Sequence, residues 1–442
     1  MQHVLALYTH SIFAIVHPGK FEVTVPSSVA MVSAVDPFPV DAGKKVVLSG
    51  FLEYFRERVG AEHVHYVMVG GSARPDFPVN VHPVAKPRPR AALRSVLTHS
   101  LTRRASIQEA LLRSEEVGAD IRRTLATLDS DLEVYDTVRM AQHAHDGGTR
   151  QVCYLDDLFS ERYTAMLDAA DRYPDVEFQP LGNFAEHVPA KLRPLADRRA
   201  PQRVLLHVER DLVRRSEDRC ARQFGTTLLM NSGEAGRLRS RTAETHNRIE
   251  AVPPLIAPPV GDRDFRGAPE FVFLGLLSLP HNDDGLRSFL TDVWPRVLAK
   301  RPDARLRVVG RDARPALIEL ASRHRDTVTM EGYVPALGEL FGRTSALVNP
   351  LRFGSGVKLK IIEALGRSVP VVSTTIGADG VESGFDNGVL VADDHDEFAE
   401  QMLETTSAPS NRKLSAAAEE HFRRRYARET VFRAYDQAFG LG

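Results

Sequence analysis

The sequence predicts an α/β protein of two Rossmann-like, doubly wound parallel-sheet domains. Three observations carry this expectation. The chain has 442 residues, more than one hydrophobic core ordinarily organises. Short apolar runs alternate with amphipathic helical patterns in both halves, and such βα repeats need crossovers that build parallel sheets covered on both faces. A stretch dense in proline and glycine separates the halves.

The elements follow in order. Residues 1–28 carry an apolar stretch, Val4 to Val16, interrupted by Tyr8 and His10 and without a basic lead. It reads as an N-terminal extension with no assigned role rather than a signal peptide. The first domain, residues 29–255, opens with a strand from Val29 to Val35, a helix from Val46 to Val59 and a strand from His63 to Val69. Further strands are expected near Leu132 to Tyr135, Gln151 to Leu155 and Thr226 to Met230. Pro253, Pro254, Pro258, Pro259 and Pro269, with Gly261 and Gly267, then resist helix and sheet, so a linker is placed at 256–269.

The second domain, residues 270–424, is the clearer one. A strand at Phe271 to Leu274 precedes Leu286, Phe289, Leu290, Val293, Trp294, Val297 and Leu298, which recur at helical spacing. The cycle repeats through strand Leu306 to Val309, helix Pro315 to Arg323, strand Val328 to Tyr333, helix Leu337 to Arg343, strand Ala346 to Asn349, helix Val357 to Leu365 and strand Val369 to Ser373.

Composition excludes several function classes. With 57 Lys and Arg against 58 Asp and Glu, the net charge is -1, so no polycation grips nucleic acid by counterion release. Hydrophobic residues at 43% and charged residues at 26% exclude a largely disordered or coiled-coil chain. Cys153 and Cys220 support neither a disulfide framework nor a CxxC metal site, and a reducing cytoplasm fits them. The sequence holds no run of 18 apolar residues that would span a bilayer.

In an open parallel sheet, ligands bind beyond the carboxyl ends of the strands. Gly275, Gly310 with Arg311, Gly332 with Tyr333, Pro350 to Gly356, and Thr374 to Gly380 fall there. The richest stretch runs Asn349-Pro350-Leu351-Arg352-Phe353-Gly354-Ser355-Gly356-Val357-Lys358-Leu359-Lys360-Ile361-Ile362-Glu363-Ala364. Its glycines allow close backbone approach, and the following helix aims free N–H groups at the loop, a cradle for a diphosphate without metal. A helix from Val357 to Glu363 rises about 9 Å, which sets Glu363 against the sugar of a nucleotide whose phosphate sits at the N-terminus. Lys360, three residues earlier on the same face, leans back toward that phosphate, and Lys358 serves too if it still belongs to the loop. The alternative is a plain surface pair of Lys360 with Glu363 beside a glycine turn.

The stretch from Asn349 through Ile376-Gly377-Ala378-Asp379-Gly380 resembles the donor-binding signature of retaining GT-B glycosyltransferases of family four, the group-one glycosyltransferases. It looks most like a bacterial sugar-transferase branch written Gly-x-Gly-x-x-x-Lys-x-x-Glu-Ala. The resemblance extends through Phe271 to Gly275, Val293-Trp294-Pro295, Pro302 to Leu306 and Glu331 to Pro335, and so covers nearly the whole second half. In the first half, Pro37 to Lys44 looks like the family's loop at the cleft, while Arg139-Met140-Ala141 and Leu155 to Tyr163 match more weakly. The resemblance implies a GT-B fold with residues 425–442 returning as a helix to the first domain.

It also implies sugar transfer from a nucleotide-diphosphate sugar to an acceptor hydroxyl with retention of configuration, no metal, and no cofactor beyond the nucleotide-sugar co-substrate. Glu363 matches the ribose-binding glutamate, and Gly354, Ser355, Gly356 and Val357 match the loop contacting sugar and distal phosphate. Gly332 and Tyr333 match the segment packing on the base, with Gly275, Lys358 and Lys360 completing the donor site. Asp41, Gly43 and Lys44 form the acceptor-side loop, and Lys360, Arg139 and His143 are the catalytic candidates.

Two departures stand out. The family's earlier glutamate is Ser355 here, and the cations usual after the first strand of this domain are missing from Gly275 to Asn282. The phosphate charge therefore falls to Lys360, Lys358 and the helix dipole. These departures motivate the alternative of a catalytically silent GT-B scaffold, and a nucleotide-sugar 2-epimerase of the same fold is disfavoured by the Gly354-to-Glu363 spacing.

Other signals have plainer readings. Asp129-Ser130-Asp131 spells a metal-holding Asp-x-Asp, but it precedes a strand and reads as a turn or cap. His143 with His145 lacks a third ligand, and Arg139 has a buried structural role as its alternative to contacting an anionic acceptor. From Phe77 to Gln108 there is no acidic residue, whereas Lys86, Arg88, Arg90, Arg94, Arg103 and Arg104 flank the helical face of Leu93, Val96, Leu97 and Leu101. This basic amphipathic segment, 86–104, reads first as a solvated helix packed on the first domain; the alternative, implied by the resemblance to family members acting on lipid-linked acceptors, is peripheral contact with the inner face of a membrane.

Overall fold

The computed structural model describes residues 26–145, 147–173, 199–256, 263, 265–334 and 337–441. Most of the N-terminal extension and much of the proline-rich linker lie outside the described residues.

The first domain is a seven-stranded parallel sheet ordered β3-β2-β1-β4-β5-β6-β7. Its strands are β1 Val29–Ser33, β2 Val64–Val69, β3 Asn80–Val84, β4 Leu132–Asp136, β5 Arg150–Asp156, β6 Thr226–Leu229 and β7 Arg248–Ala251. Central β1 is buried along its whole length, as an apolar run covered on both faces must be. Val29 and Met31 share a core with Phe51, Tyr54 and Phe55 of α1 Gly43–Val59. Ala30 and Val32 point the other way, into a core with Ile121 and Leu125. Each fully buried side chain of Phe51's size contributes roughly 1.5–3 kcal/mol.

The remaining helices of this domain are α2 Pro89–Ser95, α3 Ile107–Ala110, α4 Glu115–Leu128, α5 Thr137–Ala141, α6 Phe159–Arg172, α7 Arg199–Gln223 and α8 Ser232–Arg241. Two buried carboxylates tie α7 to its neighbours. Glu209 accepts from the amides of Ile107 and Gln108, and Glu217 accepts from Ser160 and Arg241.

The second domain is a six-stranded parallel sheet ordered β10-β9-β8-β11-β12-β13. It comprises β8 Glu270–Leu274, β9 Arg305–Val309, β10 Val328–Gly332, β11 Ala346–Asn349, β12 Val371–Ser373 and β13 Val389–Val391. Its helices are α9 Pro280–Ser288, α10 Trp294–Lys300, α11 Pro315–Ser322, α12 Gly338–Arg343, α13 Leu359–Gly366, α14 His395–Glu404 and α15 Ala408–Arg425. Phe271 and Phe273 fill one core with Phe289 and Trp294, and Val272 faces the other with Ile361 and Leu365.

The last helix, α16 Arg428–Phe439, packs on α1 of the first domain. Phe432, Tyr435 and Phe439 meet Tyr54, Phe51 and Phe55 edge to face at 5.1, 5.0 and 4.9 Å. Asp436 accepts from Tyr54 and Arg58.

Among the boundaries that differ from the sequence reading, three have a clear physical reason or bear on the site. β1 stops at Ser33, whose hydroxyl turns to Asp136 at 2.7 Å. The helix expected around Leu286 to Leu298 is α9, a π-helical turn at Phe289–Val293, and α10. Pro295 lacks the N–H that a continuous α-ladder needs, and the wider turn accommodates it. The helix expected from Val357 begins at Leu359, which leaves Lys358 in the loop.

Candidate functional site

The glycine loop leaves β11 at Asn349 and enters α13 at Leu359. Gly356 has φ 70°, a left-handed conformation that favours glycine, and it lies beside Asp157 of the first domain, which a Cβ there would meet at an ordinary contact distance of 3.4 Å. Lys358 is the N-cap residue of α13, and its ammonium donates to the carbonyls of Ser355 and Gly356 at 2.7 and 2.6 Å. It braces the loop from within, and burial lowers its pKa to about 8. Lys360 lies in the first turn, donates to Asn282 Oδ1 at 3.1 Å and stands 4.6 Å over the Phe273 ring. Burial first, and Lys358 second, lower its pKa to about 7. No side chain caps the first amides of α13, so they and the dipole remain available to an anion.

Further along α13, Glu363 is partly exposed and 3.4 Å from Arg367, whose guanidinium stacks on Phe341 of α12. That helix follows Gly332 and Tyr333, and Tyr333 is 71% exposed. The two ends of the expected nucleotide site therefore share one face of the sheet. Gly275, Gly310 and Gly332 close the neighbouring strand ends: Gly310 N–H donates to Gly332, and a Cβ at Gly310 would lie 1.9 Å from the Gly275 carbonyl.

The facing wall belongs to the first domain. Lys44 pairs with Asp136 at 2.6 Å and Asp156 at 3.4 Å, and lies 4.3 Å over the Tyr154 ring. Asp41 reaches across to Arg311 at 3.5 Å, and Gly43 abuts Leu359 at the start of α13. Thr137 and Asp156 adopt left-handed φ of 65° and 75° at the ends of β4 and β5. Such a conformation costs a non-glycine residue about 1–3 kcal/mol and concentrates at functional sites.

Two catalytic candidates are enclosed. Arg139 is 8% exposed, donates to Thr137 Oγ1 at 2.9 Å and lies over Phe159. His143 is buried against α4 with Nε2 3.2 Å from the Leu112 carbonyl, and burial lowers its pKa to about 4. Asp129 ends α4, and Asp131 accepts from Ser27 and Ser28 ahead of β4, the turn-and-cap role. Among the described residues no group of three or more His, Cys, Asp or Glu could hold a metal, and no helix is long and apolar enough to cross a membrane.

Several contacts were invisible to motif reading. α6 crosses to the glycine loop: Arg162 Nε donates to Ser355 Oγ at 3.1 Å, Ser355 donates to Asp157 at 3.1 Å, and Arg162 pairs with Asp157 at 2.5 Å. Phe353 is buried against Ala169 of α6, and Arg352 stacks on Tyr173 at 3.9 Å. Asn231 donates to Asp379 at 3.0 Å. His281, edge-on to Phe353, is kept neutral by burial and by Lys358, Lys360 and Arg162 around it, with a pKa near 3. The only advance signal was the weak match at Leu155 to Tyr163, which named no role.

Residues 268–407 match the family model described as Glycosyl transferases group 1. A Klebsiella pneumoniae protein described as an uncharacterised 44.6 kDa protein in the cps region is 27% identical over 138 residues, 30% of this chain and 36% of that one. The match thus spans about a third of that relative's length. Sucrose-phosphate synthase from Thermosynechococcus elongatus superposes with TM-score 0.62 at 12% identity, covering 94% of this chain and 100% of that one. Anabaena HepE in complex with UDP gives 0.58 at 12% identity, covering 93% and 99%. The architecture is the GT-B fold.

Proposed function

We propose that this protein is a glycosyltransferase that moves a sugar from a nucleoside-diphosphate sugar to an acceptor hydroxyl with retention of configuration and without a metal. The observation that carries the reading is the glycine loop. It sets two positive-φ glycines, the uncapped start of α13 and the Lys360 ammonium at one end of a helix whose other end presents Glu363. A diphosphate at the first and a ribose at the second match that spacing, and the UDP held by HepE, a protein of the same fold, supports a nucleotide here.

In the proposed reaction the nucleoside diphosphate leaves while Lys360 and the α13 amides take up its developing charge. The acceptor enters from the wall of Asp41, Gly43 and Lys44, on the face the leaving group vacates. Closure of the two walls excludes the water that would hydrolyse the donor. Arg139 and His143 are enclosed and act, in this reading, by supporting that wall. The silent-scaffold alternative rests on Ser355 and on Asn282 standing beside Lys360 where a cation would be expected.

The acceptor is proposed to be a cell-envelope glycan or glycolipid presented at an anionic membrane face. Leu93, Leu97 and Leu101 are 43, 52 and 72% exposed along α2 and the turn that continues it. Lys86, Arg88, Arg90, Arg94, Arg103 and Arg104 flank them without an ion pair among the described residues.

The deciding experiment is thermal unfolding of wild type and Glu363→Ala with UDP, GDP and ADP. A ligand at a hundred times its Kd stabilises the native state by about 2.7 kcal/mol. One nucleotide is expected to raise the wild-type midpoint and not the variant's. No shift with any of the three overturns the reading, and a shift without turnover of any nucleotide sugar leaves the scaffold.

A further inference from the structure

We propose that Arg162, carried on α6 of the first domain, is a phosphate-contacting residue of the donor site, so that the diphosphate is held by cations from both domains. This rests on the donor-site reading above.

The second domain alone is short of charge at the loop. Lys358 is committed to the carbonyls of Ser355 and Gly356, Arg352 is paired with Asp284, and Arg311 with Asp41. Lys360 is left as the one described cation of that domain at the cradle whose ammonium has a neutral partner, Asn282. A single ammonium balances a diphosphate poorly.

Arg162 stands at the missing position. Its Nε and Nη2 grip Asp157 while Nε also touches Ser355 Oγ, and Nη1 makes no hydrogen bond among the described residues. The side chain is 39% exposed, so it faces solvent in the cleft rather than a core. A guanidinium offers a fork of donors that matches phosphate oxygens. The departure at position 355 now has a physical sense. Arg162 already has one carboxylate partner in Asp157; a glutamate at 355 would add a second and occupy its remaining donors, whereas the serine hydroxyl is an uncharged acceptor.

The geometry is fixed from both sides. Phe353 buried on Ala169 and Arg352 stacked on Tyr173 lock α6 to the glycine loop. Asp157, itself 4% exposed, holds the guanidinium toward that loop. Lys358, Lys360 and Arg162 all bear on His281, which shows their fields converging on one spot.

The test is calorimetric titration of wild type, Arg162→Ala, Arg162→Gln and Arg162→Lys with the nucleoside diphosphate that shifts the wild type and with its nucleoside. Arg162→Ala is expected to lose roughly 10- to 100-fold in diphosphate affinity, the range of a charged hydrogen bond, with the nucleoside unaffected. Arg162→Lys should recover part of the loss. Diphosphate affinity within twofold of wild type in Arg162→Ala overturns the proposal, as does an equal loss for diphosphate and nucleoside, which marks a merely structural contact. If the alanine variant melts early, Arg162→Gln, which keeps a donor toward Ser355, decides by the same ratio. A wild type that binds none of UDP, GDP and ADP overturns the donor reading, and this proposal with it.

Discussion

The two domains share one architecture and spend their charges differently. In the second domain the strand ends present glycines, uncapped amides and Lys360, a cation with no carboxylate partner. In the first, the corresponding ends are closed by ion pairs, Lys44 with Asp136 and Asp156, and by strained residues at 137 and 156. The proposed donor cradle needs unmatched positive potential, and such potential is maintained at the expense of stability. The opposite wall settles the charge of Lys44, Asp136 and Asp156 internally, and Arg162 is the cation it turns toward the glycine loop.

Charge removal is the strongest way to break this contrast. Lys360→Met should cut turnover at least about 100-fold, as loss of an electrostatic contact to a developing charge does, while leaving the melting midpoint unchanged or raised. Lys44→Met should instead destabilise by about 3 kcal/mol, because Asp136 and Asp156 are stranded without their cation. Denaturant titration and product assay on the same samples separate the two. Equal stability losses for both variants would erase the distinction.

A smaller effect tests the outer face of the first domain, which has no counterpart identified in the second. Leu97→Asp should reduce co-sedimentation with vesicles containing anionic lipid by about tenfold, each nearby cation being worth about 1 kcal/mol at such a surface. Binding of wild type to neutral and anionic vesicles alike, or to neither, would discard the membrane face.

A further contrast is the pH dependence, where the domains should run in opposite directions. Burial raises Glu217 from 4.5 to about 7, so its contribution is fully present below pH 4.5 and is lost as pH rises through 7. Burial lowers Lys360 from 10.5 to about 7, so its penalty is full below pH 7 and is relieved as pH climbs toward 10.5. Hydrogen exchange at amides of α7 and α13 should show slopes of opposite sign, flattened by Glu217→Gln and Lys360→Met respectively. Slopes of the same sign would contradict this.

Legibility followed burial. The strands that the sequence missed, β3, β7 and β13, are sheet edges. β3 and β7 are partly exposed and carry no continuous apolar run, and β3 contains Pro83, which an edge tolerates; β13, Val389-Leu390-Val391, is apolar but only three residues long. The glycine loop was readable because backbone geometry restricts residue choice locally, as at Gly354 and Gly356. The start of α13 was misplaced by two residues, and Lys358, assigned to the cradle only if it belonged to the loop, does lie in the loop.

The sequence by itself determined what depends on near neighbours in the chain: strand and helix periodicity, the βα alternation, the glycine cradle and the Lys360-to-Glu363 spacing. Only the tertiary structure decided which distant side chains complete the site. Arg162 meets Ser355 across 193 positions, and Arg139 and His143 lie enclosed in their own domain. The reason is physical. Local patterns are set by backbone sterics and hydrophobic period, whereas the partner of a charge is set by which surfaces pack together, and no short stretch of chain encodes that.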